Sequence, residues 1–219
     1  KKTALKAKEL NRDALNGVEE LPDYSGESKT VQLTKQLEND YGVRVLYGED
    51  IFSVSDLGFE ITGTEEETAY NFMLKLGDYF DYYPKGLLNE AGLGRPLVLY
   101  LCDKIKNNVE GLSIYIGGYN VIYMQVGGKD EYFFSSLTHE MGHALENGID
   151  AELIAGWTEL MPKDVIKAYG DGIEGISVEY TPDDKGKTPV WFTDVYGRRN
   201  EKEDRATVFQ KMYDAYISG

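Results

Sequence analysis

The sequence predicts an α+β fold: a small mixed sheet, an edge strand preceding a helix that carries His139-Glu140-Met141-Gly142-His143, and a mostly helical C-terminal lobe. Three observations predict it. Apolar runs at 97–102, 112–116 and 119–126, bounded by turn residues, read as strands. Immediately after them Phe133, Phe134, Leu137, Met141, Ala144 and Leu145 recur at helical spacing. Near the C-terminus, Ala206, Phe209, Met212, Tyr213 and Tyr216 form a second buried stripe behind a good helix N-cap at Asn200.

In chain order, residues 1–29 read as a leader and linker: weak helical periodicity over 1–16, then a polar stretch containing Pro22 and Gly26. Residues 30–219 read as one domain with lobes over 30–146 and 147–219 and a cleft between them. Val31, Leu33, Leu37 and Tyr41 predict a short helix stopped by Gly42, and 43–47 a strand. Residues 48–63 read as a connection with Ile51, Phe52 and Val54 turned inward. Thr64-Glu65-Glu66-Glu67 resembles a capping box, ahead of an amphipathic helix through Ala69, Phe72, Met73, Leu76 and Phe80 that is over by Pro84.

Leu97 to Cys102 is apolar throughout, as in a central strand buried on both faces, with Cys102 a buried thiol. Two further strands flank the turn Gly117-Gly118. Asn120 to Val126 reads as the exposed edge, with Asn120, Ile122 and Met124 placed to hold an extended peptide added to the sheet; an ordinary hairpin strand is the alternative. Helices are predicted over 149–160 and 163–169, and 171–190 is irregular, a length that suits a cleft wall.

The composition limits the function classes. Hydrophobic residues make up 42% and charged ones 28%, enough for a real core. The net charge of −15 argues against nucleic acid as a partner, because a duplex binder needs a basic surface. Cys102 is the only cysteine, which excludes an internal disulfide framework and a cysteine-based zinc site. No apolar stretch approaches 18 residues, so no spanning membrane segment is expected. The chain begins Lys1-Lys2 without methionine, as a trimmed or mature fragment would, so a signal or lipid anchor upstream is compatible with it.

His139 and His143 are the chain's two histidines. On a helix, positions i and i+4 share a face, so both can point at one metal ion, and Glu140 can act on a water held there. Gly142 inside such a helix costs about 1 kcal/mol against alanine, which suggests close packing beside the metal. A catalytic zinc takes three protein ligands and keeps a place for water. With no third histidine, the ligand must be a carboxylate: Glu146, Asp150, Glu152, Glu159, Glu201, Glu203 and Asp204 are the candidates. Glu146 is better placed behind the ligands than among them. Glu203 also fits a helix cap, Asn200-x-x-Glu203, with its carboxylate turned to the backbone.

Taken with His139-Glu140-Met141-Gly142-His143, the segment Tyr196-Gly197-Arg198-Arg199-Asn200-Glu201-Lys202-Glu203 resembles the paired motifs of anthrax lethal factor-type metallopeptidases, which are gluzincins. The resemblance covers roughly 20 residues in two segments. It implies a zincin-like fold and a Zn2+ site on His139, His143 and Glu203. It also implies Glu140 as general base and Tyr196 as a donor to the tetrahedral intermediate. One departure stands out: the family usually has Ala-Glu one turn after the zinc-binding glutamate, where this chain has Ala206-Thr207. Thr207 can support the ligands from behind but carries no charge, and losses of that kind commonly lower affinity or activity by about 10–100-fold. The expectation is a monomeric, bacterial endopeptidase acting on peptide or protein substrates, extracellular or attached to the cell envelope. The alternative is a zincin-like surface or secreted binding protein with little or no peptidase activity.

Overall fold

Leu97–Ile105 is the strand on which the sheet is built. The computed structural model describes residues 21, 26, 28–48, 60–84, 86–105, 109–127, 130–149, 151–160 and 196–218. In chain order these form α1 (Lys29–Tyr41), β1 (Val43–Leu46), β2 (Ile61–Gly63), α2 (Glu66–Phe80), α3 (Leu87–Ala91), β3 (Leu97–Ile105), β4 (Gly111–Ile116), β5 (Tyr119–Gln125), α4 (Asp130–Glu146), α5 (Ala151–Leu160), a 3-10 turn (Tyr196–Arg199) and α6 (Glu201–Ser218). The predicted helix at 163–169, the irregular 171–190, the leader over 1–16 and Ile51, Phe52 and Val54 lie outside the described residues.

The sheet is mixed. β3 pairs in parallel with β1 along its first half and with β5 on its other side, while β2 runs antiparallel to its second half. β4 pairs antiparallel with β5, and the order is β1-β3-β5-β4. The hairpin between β4 and β5 turns on Gly117 and Gly118, both at positive φ (60° and 85°), the conformation a two-residue type I′ turn demands. Leu97 through Cys102 are all buried. Leu97, Leu99 and Leu101 face the helices, and Val98, Tyr100 and Cys102 face a second apolar cluster on the opposite side. Burial pushes the Cys102 thiol pKa up, as expected of a thiol with packing as its role.

Two sequence expectations need correction. Thr64 is not a helix cap: α2 starts at Glu66 with Glu65 at the N-cap, and the Glu65 side chain makes no capping bond. The Thr64 backbone is occupied by the sheet margin, donating to Leu101 O and accepting from the Gly48 N–H. Nor is β5 the edge. It lies between β3 and β4, so β4 is the outer strand that precedes the metal-motif helix. Asn120, Ile122 and Met124 all point under the helices and are fully buried. The Asn120 amide donates to the carbonyls of Ala91 and Ala144 (2.9 Å for the latter), and its oxygen accepts from Asn147. This ties β5 to α3 and to the end of α4. The alternation of a strand settles which residues share a face, but the order of strands depends on pairings that no local pattern encodes.

The helices cover one face. Leu37 of α1, the stripe Ala69, Phe72, Met73, Leu76 and Phe80 of α2, and Phe133, Leu137, Met141 and Ala144 of α4 share a single core with the sheet. α1 is capped as the sequence suggests, by Ser28 at one end and by left-handed Gly42 at the other. α6 lies on α4, with Tyr213 reaching the same core.

If Asn120 is a structural link, Asn120→Ala should lower the unfolding free energy by about 1–3 kcal/mol, because it leaves two buried carbonyls without their donor. A denaturant midpoint unchanged from wild type would contradict the assignment.

Candidate metal centre

α4 places His139 and His143 one turn apart, with ring centroids 4.8 Å from each other and planes nearly perpendicular. Both rings are buried. The third member comes from the first turn of α6, and its arrival depends on the helix cap. Asn200 Oδ1 accepts from the Glu203 N–H at 3.0 Å, so the cap is made by the asparagine alone and the Glu203 carboxylate is left for the histidines. Its Oε2 lies 3.1 Å from His139 Nε2 and 3.2 Å from His143 Nε2, across 64 and 60 residues of chain. One oxygen and two imidazole nitrogens thus converge, with all ligand atoms of the three residues within 4.8 Å of one another. Tetrahedral zinc with bonds near 2.0–2.1 Å needs donor atoms about 3.4 Å apart. The donor set and its spacing therefore fit zinc, and the three residues fit the group that the motif implies.

The charges in the site bias one another. Burial alone would raise the Glu203 pKa, but hydrogen bonds from both histidines hold it far below the usual carboxylate range. Burial alone would lower the His139 pKa, and the neighbouring Glu203 and Glu140 carboxylates reverse this to a net rise. Glu140 is buried, and desolvation lifts its pKa above the ordinary value against the pull of both imidazoles. A carboxyl raised in this way is better suited to take up a proton near neutral pH.

Gly111, the first residue of β4, packs onto Glu140. A Cβ at that position would stand 2.7 Å from Glu140 Cγ and 3.0 Å from Met124 Sδ. The outer strand can approach the acid only because this residue has no side chain.

Tyr196 enters from the 3-10 turn ahead of α6. Its ring meets His139 edge-on at 5.4 Å between centroids, and the Arg199 guanidinium lies 4.5 Å from the ring centre on its face. Burial and the Glu203 charge raise the Tyr196 pKa, so the phenol keeps its proton. The turn is held close to α6 at Gly197, where a Cβ would sit 3.0 Å from Asp204 Oδ1.

Behind the ligands, Glu146 accepts from Arg205, which clamps the end of α4 to α6. Gly142 faces Ala206 and Phe209, and a Cβ there would come within 3.1 Å of Ala206 Cα. Thr207 is fully buried and its hydroxyl has no hydrogen-bond partner among the described residues, nor does His143 Nδ1. Further along the seam, Gln210 Nε2 donates to Ser135 Oγ at 2.7 Å, and Ser135 Oγ donates to Asp214 at 2.8 Å. The structure thus brings together His139, His143, Glu140, Glu203 and Tyr196, and places Asn120, Ile122 and Met124 in the core instead. Sequence reasoning missed Gly111. Nothing in the sequence singled it out, because its role is set by the approach of β4 to α4.

No family model matches the chain, and no curated protein sequence matches it. Among solved structures it is similar to a "putative zinc-binding metallo-peptidase" from Bacteroides caccae, with 15% identity and a TM-score of 0.41, over 89% of this chain and 79% of that one.

In the metal-free protein these shifts give stability a pH window. Glu203, held below its ordinary 4.5, contributes above that pH, and the contribution fades as pH falls through its lowered value. His139, held above its ordinary 6.5, contributes fully below that pH, and the contribution fades as pH rises through its raised value. Thermal midpoints of the metal-free wild type and Glu203→Gln should therefore differ most between pH 4.5 and 6.5 and converge on either side. A gap that stays constant from pH 3 to 9 would contradict the coupling.

Proposed function

We propose that this protein is a zinc-dependent peptidase of the gluzincin kind, similar in its site to the lethal factor-type enzymes, and that it cleaves internal peptide bonds. One observation carries the reading: two histidines one helical turn apart and a glutamate from a distant helix converge at zinc spacing, beside a buried glutamate. Zinc on His139 Nε2, His143 Nε2 and the Glu203 carboxylate would supply Lewis acidity to a water and to the scissile carbonyl.

The chain's own groups do the rest. Glu140 accepts the proton of the attacking water and passes it to the leaving amine nitrogen. Tyr196 donates its phenolic proton as a hydrogen bond to the developing oxyanion, a contribution of about 2.7–4 kcal/mol for one such donor. Among the described residues, β4 has a strand partner on one side only, and Gly111 sets its start against Glu140. An extended peptide paired with β4 would pass the catalytic acid, so the substrate-holding role moves from β5 to β4. The charge of −15 favours neutral or basic peptides over acidic ones, and an extracellular or envelope location goes with this reading.

A second reading, a zincin-like binding protein that holds metal with little turnover, draws on the Thr207 hydroxyl and His143 Nδ1, which have no hydrogen-bond partner among the described residues. The two readings separate on a mixed-sequence peptide library analysed by mass spectrometry. The peptidase reading expects cleavage that a chelator stops and zinc restores. Stoichiometric zinc with every peptide intact supports the binding protein, and no bound zinc defeats both.

Glu140→Gln should keep zinc and lower kcat/KM by about 10²–10⁴-fold, the usual share of a general base. Gly111→Ala should lower kcat with zinc content unchanged, because its Cβ displaces Glu140 rather than a ligand. Wild-type turnover in either variant would remove Glu140 from the mechanism.

A further inference from the structure

The turn that follows α2 and the last turns of α6 close around a cavity of about 440 Å³. Four tyrosines wall it, Tyr82 and Tyr83 from the turn and Tyr213 and Tyr216 from the helix, with Asp81 and Met212 beside them. Tyr83 and Tyr213 are buried, with ring centroids 4.9 Å apart, and form the inner side. Tyr216 meets Tyr213 edge-on at 6.5 Å. Tyr82, Met212 and Tyr216 are exposed, so the cavity opens to solvent past them.

The lining has a definite electrostatic character. Burial raises the Tyr83 and Tyr213 pKa values, so both rings stay neutral and keep electron-rich faces. Asp81 Oδ1 accepts from the Tyr41 hydroxyl at 2.8 Å. That bond, with burial and the charges of Asp81, Asp40 and Asp78, pushes the Tyr41 pKa up to about 12. Three carboxylates thus set a negative field on this side of the cavity. Among the described residues, no lysine or arginine lines it. Ring faces beside a carboxylate attract a cation, and the Met212 thioether adds polarisable surface. A primary ammonium brings three donors and a tight hydration shell, which a lining made mostly of rings replaces poorly. An alkylated ammonium has few or no N–H groups and can lay its methyl groups on the rings.

We propose that this cavity binds a small alkylated ammonium compound, with the tyrosine rings on its methyl groups and Asp81 as its counter-charge. Its volume lies within the range of small-molecule sites, about 300–1,000 Å³. The site is separate from the metal centre. Tyr213 follows Glu203 by ten residues on α6, about 15 Å along the helix. Neither zinc nor a peptide substrate enters the argument, so the proposal stands apart from the peptidase reading.

The test titrates the whole chain by isothermal calorimetry with choline and with its uncharged carbon isostere, dimethylbutanol. Choline should saturate one site and bind at least about 10-fold more tightly than the alcohol, because the shapes match and only the charge differs. Ethanolamine, the primary ammonium of the same length, should bind more weakly than choline. Tyr216→Ala and Asp81→Asn should each weaken choline binding by about 3–30-fold. Tyr216 is 69% exposed, so its removal leaves the core intact, and asparagine at 81 still offers Tyr41 an acceptor. Choline affinity should be the same in the presence of a chelator, as a site apart from the metal centre requires. No saturable choline binding, equal affinity for the alcohol, or wild-type affinity in both variants overturns the proposal. Retention on phosphatidylcholine vesicles without binding of free choline would assign the ammonium to a lipid surface and overturn the small-molecule assignment.

Discussion

Everything proposed for this molecule depends on how closely α4 and α6 approach each other. His139, Glu140 and His143 stand on one helix and Glu203 on the other, so the site exists only if the two backbones stay in contact at one register. Gly142 makes the contact possible. A side chain there would run into the Ala206 backbone and the Phe209 ring, and α6 would have to retreat with Glu203 on it. Glycine in a helix interior costs about 1 kcal/mol against alanine, and here the packing it permits outweighs that cost. Arg205 on Glu146 at one end of the seam and Ser135 on Asp214 at the other keep the helices from sliding.

The same seam concentrates groups that would prefer water. Two carboxylates and two imidazoles share a largely buried space, and burial alone would disfavour the charged forms of Glu140, Glu203 and His139. Without metal, Glu203 compensates by accepting from both histidines. A divalent cation would replace those hydrogen bonds with stronger ones and so couple metal binding to the stability of the α4–α6 contact. Glu140 stands apart from that exchange. It is held by burial and by the bare start of β4, which leaves its carboxyl with a raised appetite for protons and outside the converging group of His139, His143 and Glu203.

Much of this was legible in the residues. The six apolar positions from Leu97 declared a strand buried on both faces, and the structure gives it neighbours on both sides. The histidine spacing and the stripe behind it placed α4. Glu203 was ambiguous by spacing alone, because an asparagine three residues earlier fits a shared cap; what resolves it is that Asn200 caps without help. β2 and α3 went unread because three and five residues carry too little periodicity to stand out. The edge strand was misassigned for a different reason. Asn120 was read as part of an exposed edge that could hold a peptide, whereas it serves buried carbonyls from two helices. Tertiary demand of this kind leaves no local trace.

The central claim is that His139, His143 and Glu203 together hold zinc. Anomalous scattering recorded on either side of the zinc absorption edge, from crystals of the zinc-loaded protein, tests it without reference to any substrate. The account predicts one strong peak about 2.0–2.1 Å from both Nε2 atoms and from a Glu203 oxygen. No peak among these three residues, or a peak held by the two histidines with Glu203 turned back to its helix, would contradict it.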